Sequence, residues 1–139
     1  SVLIADLDHF KRINDDYGHE VGDVTLRAAS QVLEEEFQEV DLIARYGGEE
    51  FVVLMDKTDR DQAAIRANRF RQRLADLRLD FPVTVSVGLA TQEPSEERRD
   101  YTALFREADQ ALYEAKNNGR NQVGIWDWSS GAPRLYRED

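Results

Sequence analysis

Leu42-Ile43-Ala44-Arg45-Tyr46-Gly47-Gly48-Glu49-Glu50-Phe51-Val52-Val53-Leu54 is the stretch around which the chain is organised. Two apolar runs flank Gly47-Gly48, which predicts a two-residue β-hairpin, because the favoured tight turns need the positive φ that glycine adopts without penalty. Glu49 and Glu50 follow directly. Neighbouring side chains on a strand point to opposite faces, so the two acids cannot both face one core. A hairpin tip with paired acids and a bare turn suits a phosphorylated ligand approached through a metal. Taken alone, such a tip reads better as a surface hairpin whose acids are merely solvated. The surrounding chain has to decide.

Upstream, Ser1 to Asp8 (SVLIADLD) is apolar on both faces and predicts a central strand covered on both sides. Asp6 and Asp8 share one face by the two-residue period and sit where the strand leaves the sheet, the end at which ligands of such sheets gather. Asp8 alone reads well as a cap for the helix that follows; Asp6, deeper in the apolar run, needs a partner or a metal. His9 to Asp16 is a short polar segment, broken by Tyr17-Gly18-His19. Val21, Thr25, Ala28, Ala29, Val32, Leu33 and Phe37 then recur at helical spacing.

Downstream of the hairpin (41–56), a helix is predicted over 59–79 and a strand opened by Pro82 over 83–89. After a polar loop, a further helix starts at a cap on Asp100 or Thr102 and stops at Asn118-Gly119. A strand over 123–128 and a polar tail over 129–139 complete the chain. Strands separated by helices require crossovers and helices packed on a sheet. The expected class is α+β, a ferredoxin-like βαββαβ core with an added helix and strand.

The chain has 139 residues, enough for one domain with a real core, and 41% apolar with 33% charged residues is a globular balance. No apolar run approaches membrane-spanning length, and without cysteine there are no disulfides or thiolate metal sites. A net charge of −10 argues against nucleic acid as partner. A polyphosphate substrate would need a few placed Lys or Arg plus divalent metal. The absence of an initiator Met, with a strand from the second residue, reads as a fragment of a longer protein.

The acidic end of the first strand and the acidic hairpin tip are expected to converge, bringing Asp6 together with one or both of Glu49 and Glu50. Clustered carboxylates repel and persist where a cation binds, and all-oxygen ligation suits Mg²⁺ or Mn²⁺. Divalent metal beside a phosphate-sized opening implies phosphoryl or nucleotidyl transfer, with two ions, one on the attacking hydroxyl and one on the departing phosphate. Lys11, Lys116 and Arg120 offer positive charge, and the His9 and Phe10 amides form an anion site. Asn14 and Asp23 can read a base edge.

Asp6-Leu7-Asp8-His9-Phe10-Lys11-Arg12-Ile13-Asn14-Asp15, Gly18-His19, Gly22-Asp23 and Arg45-Tyr46-Gly47-Gly48-Glu49-Glu50-Phe51 resemble the GGDEF family of diguanylate cyclases. Ser86-Val87-Gly88-Leu89-Ala90, Ala108-Asp109-Gln110-Ala111-Leu112-Tyr113-Glu114-Ala115-Lys116 and Gly119-Arg120-Asn121 carry the same resemblance across nearly the whole chain. It implies a fold similar to nucleotidyl cyclases and polymerase palms, and condensation of two GTP into cyclic di-GMP and two pyrophosphates. It further implies metal ligation by Asp6, the Leu7 carbonyl, Glu49 and Glu50, with Glu49 as proton acceptor for the ribose 3′-hydroxyl. Asn14 and Asp23 match guanine-reading positions, and His19 lies in the same motif. The His9 and Phe10 amides, Lys116 and Arg120 match phosphate contacts, and Lys11 offsets charge at the transition state. Side chains at Gly47 or Gly48 would obstruct the nucleotide. Glu49 stands where the name-giving motif has Asp, a variant that active members share.

The resemblance also implies a homodimer, each domain holding one GTP, driven by an upstream sensory or coiled-coil segment. The expected location is the cytoplasm, with any membrane anchor elsewhere in the full-length protein. The family's Leu-Thr-Gly-Leu-like segment before the first strand has no counterpart here. Its Arg-x-x-Asp product-inhibition site is matched by Gln38 and Asp41, with Arg69 as a further support; Gln lacks the guanidinium fork, so weak or absent product inhibition is expected. The alternative reading is a catalytically inactive module that binds GTP or cyclic di-GMP. The intact acids, Lys11 and Arg120 favour the cyclase. A cyclase for another nucleotide is disfavoured by the Asn14–Asp23 pair.

Overall fold

A computed structural model describes residues 1–37, 42–77, 79 and 81–138. The elements run β1 (Val2–Leu7), α1 (Phe10–Tyr17), α2 (His19–Glu36), β2 (Leu42–Tyr46), β3 (Glu50–Leu54), α3 (Arg60–Ala75), β4 (Val85–Ala90), α4 (Tyr101–Asn117), β5 (Val123–Asp127) and β6 (Ala132–Leu135). They build one sheet in the order β2-β3-β1-β4-β5-β6. β2, β3, β1 and β4 pair antiparallel, the arrangement of a βαββαβ core, and the α4 crossover then adds β5 parallel to β4. The ferredoxin-like expectation holds, extended by α4 and β5.

β1 is buried on both faces, as its unbroken apolar run requires. Leu3, Ala5 and Leu7 pack with Leu26, Ala29 and Leu33 of α2 and Ala67 and Phe70 of α3. Val2 and Ile4 face the other way, towards Leu104, Ala108 and Leu112 of α4. Asp6, two residues on, therefore lies on the α4 face. α4 sits close because Gly88 and Gly124 lack side chains: a Cβ at either would fall on backbone atoms of α4.

The short helix expected after Asp8 is α1, anchored by buried Phe10 and Ile13. Four local expectations are corrected. β4 starts at Val85, not at residue 83, and α3 ends at Ala75. The tail over 129–139 contributes β6, an edge strand paired with β5 through Gly131, whose φ of 67° turns the chain back. The hairpin turn has three residues rather than two: Gly47, Gly48 and Glu49 lie outside the strands, Tyr46 pairing with Glu50. Of the two caps weighed for α4, Asp100 is the one used, its Oδ1 accepting from the Ala103 amide at 2.8 Å.

Candidate active site

The hairpin correction changes what the two acids can do. Glu49, off the strand, is released from the alternation that would have sent it opposite Glu50. In the antiparallel register Glu50 stands directly across from Asp6, on the α4 face. The Leu7 amide donates to the Glu49 carbonyl at 3.3 Å, fastening the turn to the end of β1. Arg45 Nη2 donates to the Gly48 carbonyl at 2.9 Å and braces the turn from its other side. Gly47 has φ of 73°, which explains that glycine. A Cβ at Gly48 would meet no other part of the chain, so the space beside it is left open to a ligand.

Asp6 is 5% exposed, and Lys116 Nζ from the last turn of α4 donates to its Oδ2 at 2.5 Å. Burial raises the Glu49 and Glu50 carboxyls above their ordinary value; the Asp6 charge raises both further, and Lys116 offsets part of it. Three carboxylates thus share one cation. That imbalance and the all-oxygen donor set fit a hard divalent ion. Among the described residues, however, no three acidic or histidine side chains converge on one point as ligands of a single ion.

The remaining predicted residues fall on two flanks. On one, Asn14 of α1 is half-buried against Gly22 of α2; a Cβ at Gly22 would fall on its Oδ1. His19 and Asp23 lie exposed at the start of the same helix. His9, with φ of 56°, leads into α1, and Lys11 is exposed on its first turn. On the other flank Arg120 is exposed in the turn after α4, with φ of 63°. Lys116, another expected phosphate contact, pairs with Asp6. Gln38 and Asp41 lie outside the described residues, and Arg69 pairs with Glu36 at 3.0 Å.

Asp8 is a correction and a residue whose role the sequence reading missed. It caps nothing: α1 begins after His9 without a side-chain cap. Its buried carboxylate accepts from Thr84 Oγ1 and Ser86 Oγ, both at 2.7 Å, and from the Asn121 amide at 3.1 Å. Thr84 and Ser86, hydroxyls two apart in a valine strand, were the available signal. A cavity of about 1350 Å³ opens around Ser1, Met55 and Arg99, at the opposite end of β1 from the acids.

An acidic hairpin thus stands beside an acidic strand end on one sheet. The diguanylate cyclase GGDEF-domain family matches residues 1–122. The chain belongs to this family. As a GGDEF domain it is similar to the active GGEEF domain of a diguanylate cyclase from Vibrio cholerae, with a TM-score of 0.83 and 31% identity over 91% of this chain and 81% of that one. The GGDEF domain of DgcB from Caulobacter crescentus, solved in complex with c-di-GMP, superposes at a TM-score of 0.82 with 31% identity, over 89% and 75% of the two chains. Diguanylate cyclase DgcM of Escherichia coli K12 is 44% identical over 88% of this chain and 30% of its own length. The probable diguanylate cyclase DgcT of the same strain is 40% identical over 91% and 29%. The GGDEF domain here therefore spans under a third of those two relatives. None of its described helices is long and apolar enough to cross a membrane.

Proposed function

We propose that this domain is a diguanylate cyclase output domain, condensing two GTP into cyclic di-GMP and two pyrophosphates across a homodimer. The observation that carries the reading is the trio Asp6, Glu49 and Glu50 beside an open glycine turn, balanced among the described residues by Lys116. Each GTP's 3′-oxygen bonds to the α-phosphorus of the other, the α–β phosphoanhydride bond breaks, and pyrophosphate leaves. Glu49 takes the 3′-hydroxyl proton; burial beside Asp6 raises its proton affinity towards what a general base needs. Asp6, the Leu7 carbonyl, Glu49 and Glu50 would hold Mg²⁺ or Mn²⁺, two per site, which would supply charge neutralisation at the attacking and departing oxygens.

Asn14 and Asp23 orient guanine, with His19 in support. The His9 and Phe10 amides and Arg120 bind the phosphates, and Lys116, held by Asp6 in the free protein, turns to them. Lys11 offsets charge on the transferring group, and Gly47 and Gly48 leave room for the nucleotide. Because each domain supplies one GTP, the partner is a second copy, assembled by an upstream sensory or coiled-coil segment of a cytoplasmic domain. The test is product analysis by chromatography and mass spectrometry, with the domain fused to a dimerising coiled coil and given GTP and Mg²⁺. Cyclic di-GMP from the parent and none from Glu49→Gln, Glu50→Gln supports the reading. GTP binding without product would instead mark an inactive regulatory module.

A further inference from the structure

The buried Asp8 carboxylate plays no part in the chemistry just described, yet it is 5% exposed and fully engaged. Two of its donors, Thr84 and Ser86, belong to the approach and first residues of β4; the third is the Asn121 backbone amide, 113 positions along the chain. Asp8 is also fixed from its own backbone, its amide donating to the Thr84 carbonyl at 2.9 Å. It is therefore a rigid anchor at the end of the central strand.

What it anchors is unusual backbone. Gly119, Arg120 and Asn121 have φ of 111°, 63° and 47°, three consecutive residues in the left-handed region. Only the first is glycine, so Arg120 and Asn121 hold a conformation that costs on the order of 1 kcal/mol or more each unless the surroundings impose it. The surroundings do so from three sides. The Arg120 amide donates to the Ala115 carbonyl at 3.0 Å, Arg71 of α3 donates to Asn121 Oδ1 at 3.0 Å, and Asp8 takes the Asn121 amide from below. The Arg71 and Asp8 bonds are both charge-assisted, the stronger kind, and of the two charges the one on Asp8 is buried.

We propose that Asp8 is a positioning residue for the phosphate-binding turn: by holding the Asn121 amide it keeps residues 119–121 in their left-handed course and thereby sets where Arg120 stands. The inference rests on the reading of Arg120 as a phosphate contact. Asp8 acts through that arginine and touches no substrate. A carboxylate two residues beyond Asp6, just past the end of β1, thus couples the acidic end of that strand to the cation on the far side of the site.

The test is a double-mutant cycle read by calorimetric titration with an α,β-methylene analogue of GTP in Mg²⁺. Arg120→Ala is expected to weaken analogue binding. Asp8→Asn, which keeps the shape and the two hydroxyl partners, is expected to weaken it roughly tenfold, the equivalent of one charge-assisted hydrogen bond. In the Arg120→Ala background Asp8→Asn should cost nothing further. Hydrogen exchange at the Asn121 amide of the nucleotide-free protein should quicken in Asp8→Asn while β1 and β4 amides stay protected. Asp8→Ala serves as the stronger lesion if it folds. Losses that add fully across the cycle, or an Asp8→Asn variant with unchanged affinity and exchange, overturn the inference while leaving Arg120 in place. Unchanged binding in Arg120→Ala overturns the phosphate assignment itself, and the inference with it.

Discussion

Lys116 Nζ lies 2.5 Å from Asp6 Oδ2, so the last turn of α4 neutralises the carboxylate that closes the central strand. The two residues are 110 positions apart, and each explains the other. Asp6 is nearly inaccessible, and an unpaired charge there would be costly.

Replacing Lys116 with Met therefore removes the cation that pairs with Asp6 and offsets Glu49 and Glu50. The metal-free variant is expected to lose about 1–3 kcal/mol of stability, below the figure for fully buried pairs because the lysine is partly exposed. Mg²⁺ or Mn²⁺ should return more stability to the variant than to the parent, since no ammonium has to leave Asp6 first. Urea unfolding with and without each ion checks both statements; a variant as stable as the parent in the absence of metal would refute the pairing.

Glu49 and Glu50 bind protons more tightly folded than unfolded, their carboxyls being raised from 4.5 by burial and by Asp6. The folded state is thus favoured by protonation, and this contribution falls as pH climbs from about 4.5 through the raised values. Without metal, Glu49→Gln, Glu50→Gln should be more stable than the parent at neutral pH, an advantage that shrinks on acidification. Unfolding free energies of both proteins across that range give the difference directly.

Gly22→Ala should act on the ligand rather than on the fold. The new Cβ would fall on Asn14 Oδ1, the end of a side chain free to rotate away, and would stand 3.3 Å from Phe10 Cζ. Alanine inside a helix gains about 1 kcal/mol over glycine, which offsets the crowding. Melting is expected to change little, while affinity for the GTP analogue drops as it does in Asn14→Ala. The double variant should bind no more weakly than either single one; a further drop would separate Gly22 from Asn14.

Product binding at the position of the family's inhibition site should be weak. Gln38 cannot replace a guanidinium, and Arg69 is already committed to Glu36 at 3.0 Å, a carboxylate that Arg73 also contacts at 3.3 Å. Calorimetry with cyclic di-GMP is expected to give an affinity weaker than micromolar. Micromolar or tighter binding that Asp41→Ala abolishes would reverse this.

Much of the architecture was legible because it is periodic. The double-sided apolar run of β1, the stripes of α2, α3 and α4 and the glycine-centred hairpin each follow from local spacing. β6 was not legible: Ala132-Pro133-Arg134-Leu135 carries no alternating pattern, and a partly exposed edge strand gains its hydrogen bonds from β5 rather than from its own composition. The length of the hairpin turn escaped for a related reason, since register between two strands depends on both at once.

By itself the sequence determined the class of fold, the acids at two strand ends and the polar and basic residues available around them. It did so because alternation, helical spacing and glycine's freedom act over a few neighbours. Only the tertiary structure decided that Glu49 leaves the strand to join Glu50 at Asp6, that Lys116 is the cation they share, and that Asp8 grips the Asn121 amide instead of capping α1. Those are contacts between residues up to 113 positions apart. A buried charge takes whichever partner the folded chain brings within hydrogen-bond distance, and no local pattern records that choice.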